Sequence, residues 1–453
     1  MQVACQPSCG AAPTIGCPLG PRPSKARCER GATRCGGHSS SRPGPWKVPR
    51  RQGALCHAGF SGGMDEPGRG GGGSDAWAFD LAVLSNRMRE VQMAESAECE
   101  RNWREGRCTH HTVATLDVWV RKLCLMGESV ACGTHTGDCY VIDGLCGRGT
   151  ATNLYPDNQT YRPLTTARRL RRCVGLQSEI TSLDFTGGSL LAGTKDGSMM
   201  LWTLEADDEF GGSFGHGEPG QGLQVLAGTP DNSVRFAGHL ARITSCQVVH
   251  GGRQVVSSSL DGVVNIWDAA SGKQKHSISM GTSVTSMFCT DDYILAGLGD
   301  GQVAAFAMPR SASSKPKVIF SFQAHPSPVT CLQYFRDETF HQDVLVTGSQ
   351  DGTIRSWDFD NGGTCLQEFL GHKSTVVDLH CNTTRILSAS KDSSVRCWDF
   401  RSGQSLFGIW GHSAYIGSVA CDDSRLVSDG TNNIIGLHDF GPGAPTKDQD
   451  LNL

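Results

Sequence analysis

One short pattern returns seven times between residues 132 and 439. The copies read "CGTHTGDCYVID" (132–143), "AGTKDGSMMLWTL" (192–204), "SSSLDGVVNIWD" (257–268), "AGLGDGQVAAFAM" (296–308), "TGSQDGTIRSWD" (347–358), "SASKDSSVRCWD" (388–399) and "SDGTNNIIGLHD" (428–439). Each is a short apolar strand, a turn on Asp-Gly or a substitute, and a second apolar strand. Asp-Gly between apolar strands signals a hairpin, because Gly accepts the positive φ that such a turn needs. A further β-like run precedes each hairpin, as in "ITSLDF" and "VVDLHC", and another follows the better-formed copies, as in "CLQEFLGH". Four strands per unit at a spacing of about 40 residues make an array in which each unit buries its faces against its neighbours. The expectation is an all-β chain. Extra polar or Gly-rich sequence at Gly144–Arg172, Glu205–Arg235 and Pro309–Lys317 is expected to leave the array as loops.

The units resemble the WD-repeat family, whose signature is a Gly-His, a gap and a Trp-Asp. Gly238-His239 precedes Trp267-Asp268, Ala324-His325 precedes Trp357-Asp358, and Gly371-His372 precedes Trp398-Asp399. The resemblance covers residues 106 to 440 and implies a β-propeller of seven four-stranded blades. Three copies depart from the pattern. Ile142 and Phe306 stand where Trp is expected, and the copy with Phe306 has no Gly-His before it. The seventh copy carries Asn432 for the turn Asp and His438 for Trp.

Ser, His and Asp recurring together raise the question of a hydrolase. The resemblance implies instead a hydrogen-bonded chain inside each blade. The sets would be His239, Ser257, Asp261 and Trp267; His325, Thr347, Asp351 and Trp357; and His372, Ser388, Asp392 and Trp398. Buried polar groups need partners, and these four supply one another. A catalytic triad occurs once per site and needs an accessible nucleophile. No G-x-S-x-G, H-E-x-x-H or G-x-x-x-x-G-K-[ST] motif is present. The chain reads as a non-enzyme with no cofactor and no metal.

Residues 1–74 are different material. Glu29 is the single acidic residue before Met64, while nine Lys or Arg lie between Arg22 and Arg51. Such a stretch buries too little apolar surface to offset chain entropy. It reads as disorder, as a misplaced start before Met64, or as an organelle transit peptide. The location expected is cytoplasmic or nuclear, or a plastid or other organelle if the leader is a transit peptide. Residues 75–105 form a helical linker, because Trp77, Leu81, Leu84, Met88 and Val91 share one helical face. That face either packs on the body or docks a partner. The propeller is assigned to 106–441 and a polar tail to 442–453. The twenty cysteines form no C-x-x-C pair, and most of the later ones sit in apolar runs, as buried reduced thiols do. No apolar run reaches membrane-spanning length. The net charge of −4 gives no support to nucleic-acid binding. The basic run "ARRLRRC" (167–173) is placed in an insertion loop.

"ECERNWREGRCTHHTV" (98–113) is similar to the join in F-box/WD-repeat proteins, where Asn-Trp and Gly-x-Cys lead from F-box helices into the propeller. A recognisable F-box is missing upstream, and 75–105 could be its remnant. This likeness implies a substrate-recognition subunit of a cullin-type ubiquitin ligase, with an Skp-type adaptor and a cullin as partners. The alternative is a general WD-repeat scaffold in RNA processing, trafficking or signalling. Protein or peptide partners are expected on one rim of the propeller. Its basic positions would be Lys195 and Lys391, just before their turn Asp, with Arg242 and Lys373 facing the same rim.

Overall fold

The structure is a computed structural model that describes residues 74–145, 169–186, 188–204, 225–228, 232–309, 316–337, 341–410, 416–429 and 433–444. The leader up to residue 73, Asn432 and residues 445–453 lie outside the described residues. So do the side chains of Trp77, Leu81 and Leu84.

Alternating apolar runs and tight turns build seven sheets among the described residues, each with antiparallel strands a to d from the channel outward. Blade three is representative, with strands Ile243–Val249, Gln254–Ser259, Val263–Asp268 and Gln274–Ser279. The turn between strands b and c puts its third residue at positive φ, +82° at Gly262 and +84° at Gly352. Ser393 in blade six and Asn433 in blade seven each adopt +64° where the first five copies place Gly, a conformation that costs an L-residue energy. Strands b and c are buried almost throughout because neighbouring blades cover both faces.

The seventh sheet closes the array. It holds strands Val419–Cys421, Arg425–Asp429 and Ile434–Asp439, and its outer strand is Thr109–Thr115 from before the first blade. Thr109 pairs with Asp439 and Thr115 with Ile434. The described strands thus meet without a gap between the first and last repeats.

The insertions are only partly loops. Arg169–Cys173, inside the basic run, is strand d of blade one and not a loop segment. Val225–Gly228 pairs with it in parallel as a fifth strand, and Ser233–Phe236 is strand d of blade two. Two charges of the basic run are already matched. Arg171 Nη2 lies 2.8 Å from Asp143 Oδ2, and Arg172 Nη2 lies 2.7 Å from Asp138 Oδ2. Those arginines have carboxylates in place of an external anion.

Inner strands of adjacent blades splay apart and share no ladder, so side chains join them. The Thr181 hydroxyl donates to the Ile243 carbonyl at 2.6 Å, Thr285 to Val329 at 2.6 Å, and Thr330 to Val376. Asp184 accepts the Val248 N–H at 2.7 Å, and Gln333 accepts that of Cys381 at 2.9 Å. Asp378 accepts the Ser418 hydroxyl at 2.8 Å, and Ser418 in turn accepts the Leu123 N–H at 3.2 Å, linking blades six, seven and one. Each is worth roughly 1 kcal/mol net, and leaving any of them unmade in the buried ring would cost more. These strands enclose a channel of about 260 Å³. Burial pushes the Asp184 carboxyl up to about 6, against the Val248 and Phe185 amides, which pull it down.

Helix α1 spans Ser74–Glu105. The described part of its expected apolar stripe is not what packs: Met88 and Val91 are exposed, as is Met93. The helix docks through its last two turns, where Cys99, Asn102 and Trp103 are buried. No described helix is long and apolar enough to cross a membrane.

Candidate interaction surface

Among the described residues, three blades contain His, hydroxyl, Asp and Trp sets. In blade three, His239 Nδ1 lies 3.0 Å from Asp261 Oδ2 and Nε2 lies 2.8 Å from Ser257 Oγ, which also accepts the Trp267 indole N–H at 2.8 Å. Blade six repeats this: His372 to Asp392 at 2.9 Å, His372 to Ser388 at 2.7 Å, Trp398 to Ser388 at 2.8 Å. Blade five varies it. His325 Nε2 and the Trp357 indole both meet Thr347 Oγ1 at 2.8 Å, but His325 Nδ1 is 3.5 Å from Asp351. Thr353 stands between them, 3.1 Å from His325 and donating to Asp351 at 2.6 Å.

Burial lowers His325 to about 4, despite the raising effect of Asp351, and lowers His372 as well. Burial alone would raise Asp392. Hydrogen bonds from Ser394, the Lys373 N–H and His372 outweigh it and hold the carboxyl at about 2. Ser257, Thr347 and Ser388 are fully enclosed, with their oxygens engaged by indole and imidazole. A hydroxyl so placed cannot meet a substrate, so these sets hold strands together and do no nucleophilic chemistry.

Asp392→Ala is therefore expected to cost about 2–3 kcal/mol, since a buried His and two N–H groups lose their acceptor. Asp351→Ala is expected to cost about 1–2 kcal/mol, because Thr353 still meets His325. Thr136→Ala, in blade one, which has Ile142 at the Trp position and lacks a well-placed Gly-His, is expected to cost less than either. Urea midpoints order the three variants, and equal losses would contradict these roles.

The positions before strand a and after strand b meet on one face around the channel mouth. Six backbone bonds fix this: His135 N–H to Trp119 carbonyl, Lys195 to Glu179, Leu260 to Arg242, Gly299 to Ser283, Gln350 to Pro328 and Lys391 to Thr375. Lys195, Arg242, Lys373 and Lys391 are all exposed on this rim. They do not form one cluster. Lys195 and Arg242 belong to the adjoining blades two and three, while Lys373 and Lys391 belong to blade six, three blades away around the ring. Lys195 also has a local partner, Glu179, 3.6 Å away.

Sequence reasoning passed over the most prominent rim residue, Trp119, which is 60 % exposed. Its own N–H donates to His135 Nδ1 at 3.2 Å, and the two rings lie 5.5 Å apart. The Arg121 guanidinium stands 5.6 Å from the indole centroid and reaches Glu179 at 2.9 Å. Trp119, Arg121, Glu179 and Lys195 thus form one strip across blades one and two. Leu240 (92 % exposed) and Leu260 (43 %) continue it on blade three. The available signal was a Trp immediately before an inner strand, where the other copies carry Glu, Arg, Ser, Pro or Thr.

The WD domain, G-beta repeat family model matches residues 225–268, 316–358 and 363–399. Protein ROOT INITIATION DEFECTIVE 3 of Arabidopsis thaliana is 26% identical over 203 residues, 43% of this chain and 42% of that protein. WD repeat-containing protein 18 of Bos taurus is 29% identical over 197 residues, 40% of each. The chain spans about two fifths of the length of these curated relatives. The crystal structure of the WD40 beta propeller domain of Doa1 superposes with a TM-score of 0.54 at 19% identity, covering 76% of this chain and 99% of that one. That likeness bears on the fold alone.

Proposed function

We infer that this chain, being a WD-repeat protein closed as a seven-bladed propeller, is a protein-binding scaffold whose peptide site is the rim strip running from Trp119 to Leu260. The exposed Trp119 carries the reading. An indole left largely in water, but held by its own backbone bond to His135 and flanked by Arg121, has the composition of an interface anchor. Flanking charges of both signs favour a peptide with an apolar side chain beside a charged one. The split between Lys195 and Lys391 speaks against a single phosphate pocket.

In its finer form, the scaffold is a substrate-recognition subunit of a cullin-type ubiquitin ligase. Two observations support this: the Glu98–Val113 join, and a docked α1 that leaves Met88, Val91 and Met93 in solvent. Helix α1 would then face the Skp-type adaptor and the rim would face the substrate. A display library of peptides, some phosphorylated, tests the rim. Trp119→Ala is expected to weaken selected ligands by 10-fold or more, about 1.4 kcal/mol, and Lys195→Glu/Lys391→Glu to change them little. Ligands that ignore Trp119 would overturn the site. Mixing the full chain with a purified Skp-type adaptor and cullin tests the finer reading. Absence of a complex would leave a general scaffold.

A further inference from the structure

We propose that Cys108, His110 and His438 bind a zinc-class metal ion at the seam where the strand Thr109–Thr115 closes blade seven. Cys108 Sγ lies 3.6 Å from His110 Nε2. His110 Nδ1 lies 2.6 Å from His438 Nδ1, with the two rings edge to face at 4.7 Å. One donor atom from each residue falls within 4.8 Å of the others. Ligands at about 2.3 Å for sulfur and 2.0–2.1 Å for nitrogen on a tetrahedral zinc stand roughly 3.5 Å apart. The 3.6 Å contact of Cys108 is to His110 Nε2 and the 2.6 Å contact of His438 is to His110 Nδ1, so the His110 ring has to turn to present one nitrogen to an ion shared with the other two ligands.

The strand register explains why the three converge. His110 and His438 are directly paired across the antiparallel seam. Cys108 lies two residues before His110, and residues two apart in an extended chain share a face. Cys108 and His438 are buried and His110 is half-buried. One soft thiolate with two imidazoles suits zinc or its spectroscopic substitute cobalt, and not calcium or magnesium.

The residue at 438 gives an independent reason. It occupies the position that Trp holds in blades three, five and six, ten residues after a strand hydroxyl, here Ser428. His438 Nε2 lies 3.4 Å from Ser428 Oγ, keeping the contact that the indole N–H makes elsewhere. A Trp has one ring nitrogen; His has a second, and Nδ1 faces His110. Ser428 thereby orients the ring from behind, as outer-shell partners of metal-bound histidines do. On binding, the Cys108 proton leaves to solvent as the metal–sulfur bond forms, and both imidazoles coordinate neutral. The ion would tie residue 108 to residue 438, and so the two ends of the array.

The test uses the reduced, metal-free full chain, titrated with Co2+ and then Zn2+. Expected are tetrahedral cobalt bands with thiolate charge transfer at one equivalent, displacement by Zn2+, and a higher Tm with either ion. Cys108→Ala and His438→Trp should each abolish the band and the Tm shift. His438→Trp restores the indole–hydroxyl contact of the other blades, so its folding is checked directly by its melt. With twenty cysteines in the chain, a band that survives unchanged in both variants would come from other thiols and would overturn the assignment. So would an unaltered spectrum and Tm in the parent protein, which would leave the His110–His438 contact an ordinary hydrogen bond.

Discussion

Deleting residues 106–116 is expected to turn the protein into an aggregating species. The segment supplies six backbone pairs to the strand Ile434–Asp439. It also brings Val113, 5 % exposed, into a cluster with Val130, Ile142, Val427, Ile435 and Leu437. Without it blade seven has three strands, the outermost an unpaired apolar edge. An uncovered edge recruits other chains, and the loss touches both ends of the array, whose net stability is on the order of 5–15 kcal/mol. Val113→Asp isolates the packing contribution with the chain connection intact, and should lower the melting temperature without removing the pairing. Light scattering after size exclusion reads the outcome. A deletion variant that stays monomeric and melts with the parent would show that closure does not depend on this strand.

The closing strand is a property of the assembled seventh sheet, where Thr109–Thr115 pairs with Ile434–Asp439. The blades themselves were legible in the sequence. Repetition makes one hairpin signal into seven, so a weak copy such as "SDGTNNIIGLHD" is read by its neighbours. The insertions were not, because "RLRRC" has the composition of a solvated loop. Its pairing depends on Asp143 and Asp138, which neutralise Arg171 and Arg172 across strands about 30 residues away in sequence. Trp119 escaped notice because exposure is a property of the assembled rim and has no period. Likewise His438 reads in sequence as a damaged Trp. Only the register with His110, more than 300 residues earlier, shows that a second nitrogen has a partner.

Trp103→Ala is expected to cost about 3–5 kcal/mol, the range for truncating a fully buried aromatic. Helical spacing drew attention to the Met88–Val91 face, yet that face is in solvent and the anchor is the last two turns. The Trp103 ring lies 3.6 Å from that of Phe440 at 13°, and the Arg385 guanidinium is 4.4 Å from its centroid. Its indole N–H donates to the Asp423 carbonyl at 2.8 Å. Beside it, Asn102 uses its amide donors on the Phe440 and Gly441 carbonyls, at 3.1 and 3.0 Å. Arg385 closes the group by reaching Glu100 at 2.8 Å. Removing the indole would leave the Asp423 carbonyl without that donor, strip Arg385 of its aromatic cover and open a void against Phe440. Because these contacts hold only the end of α1, the loss should appear first as faster hydrogen exchange across residues 98–105 and then as a lower urea midpoint. Peptide binding at the Trp119 rim should persist, since that strip lies on blades one to three while Trp103 packs against blades six and seven. If α1 is the arm that meets an adaptor, the same variant would separate the two activities, keeping the peptide and weakening the adaptor. Unchanged exchange in 98–105 would mean that Asn102 and Arg385 alone fix the helix and that the stacked indole adds little.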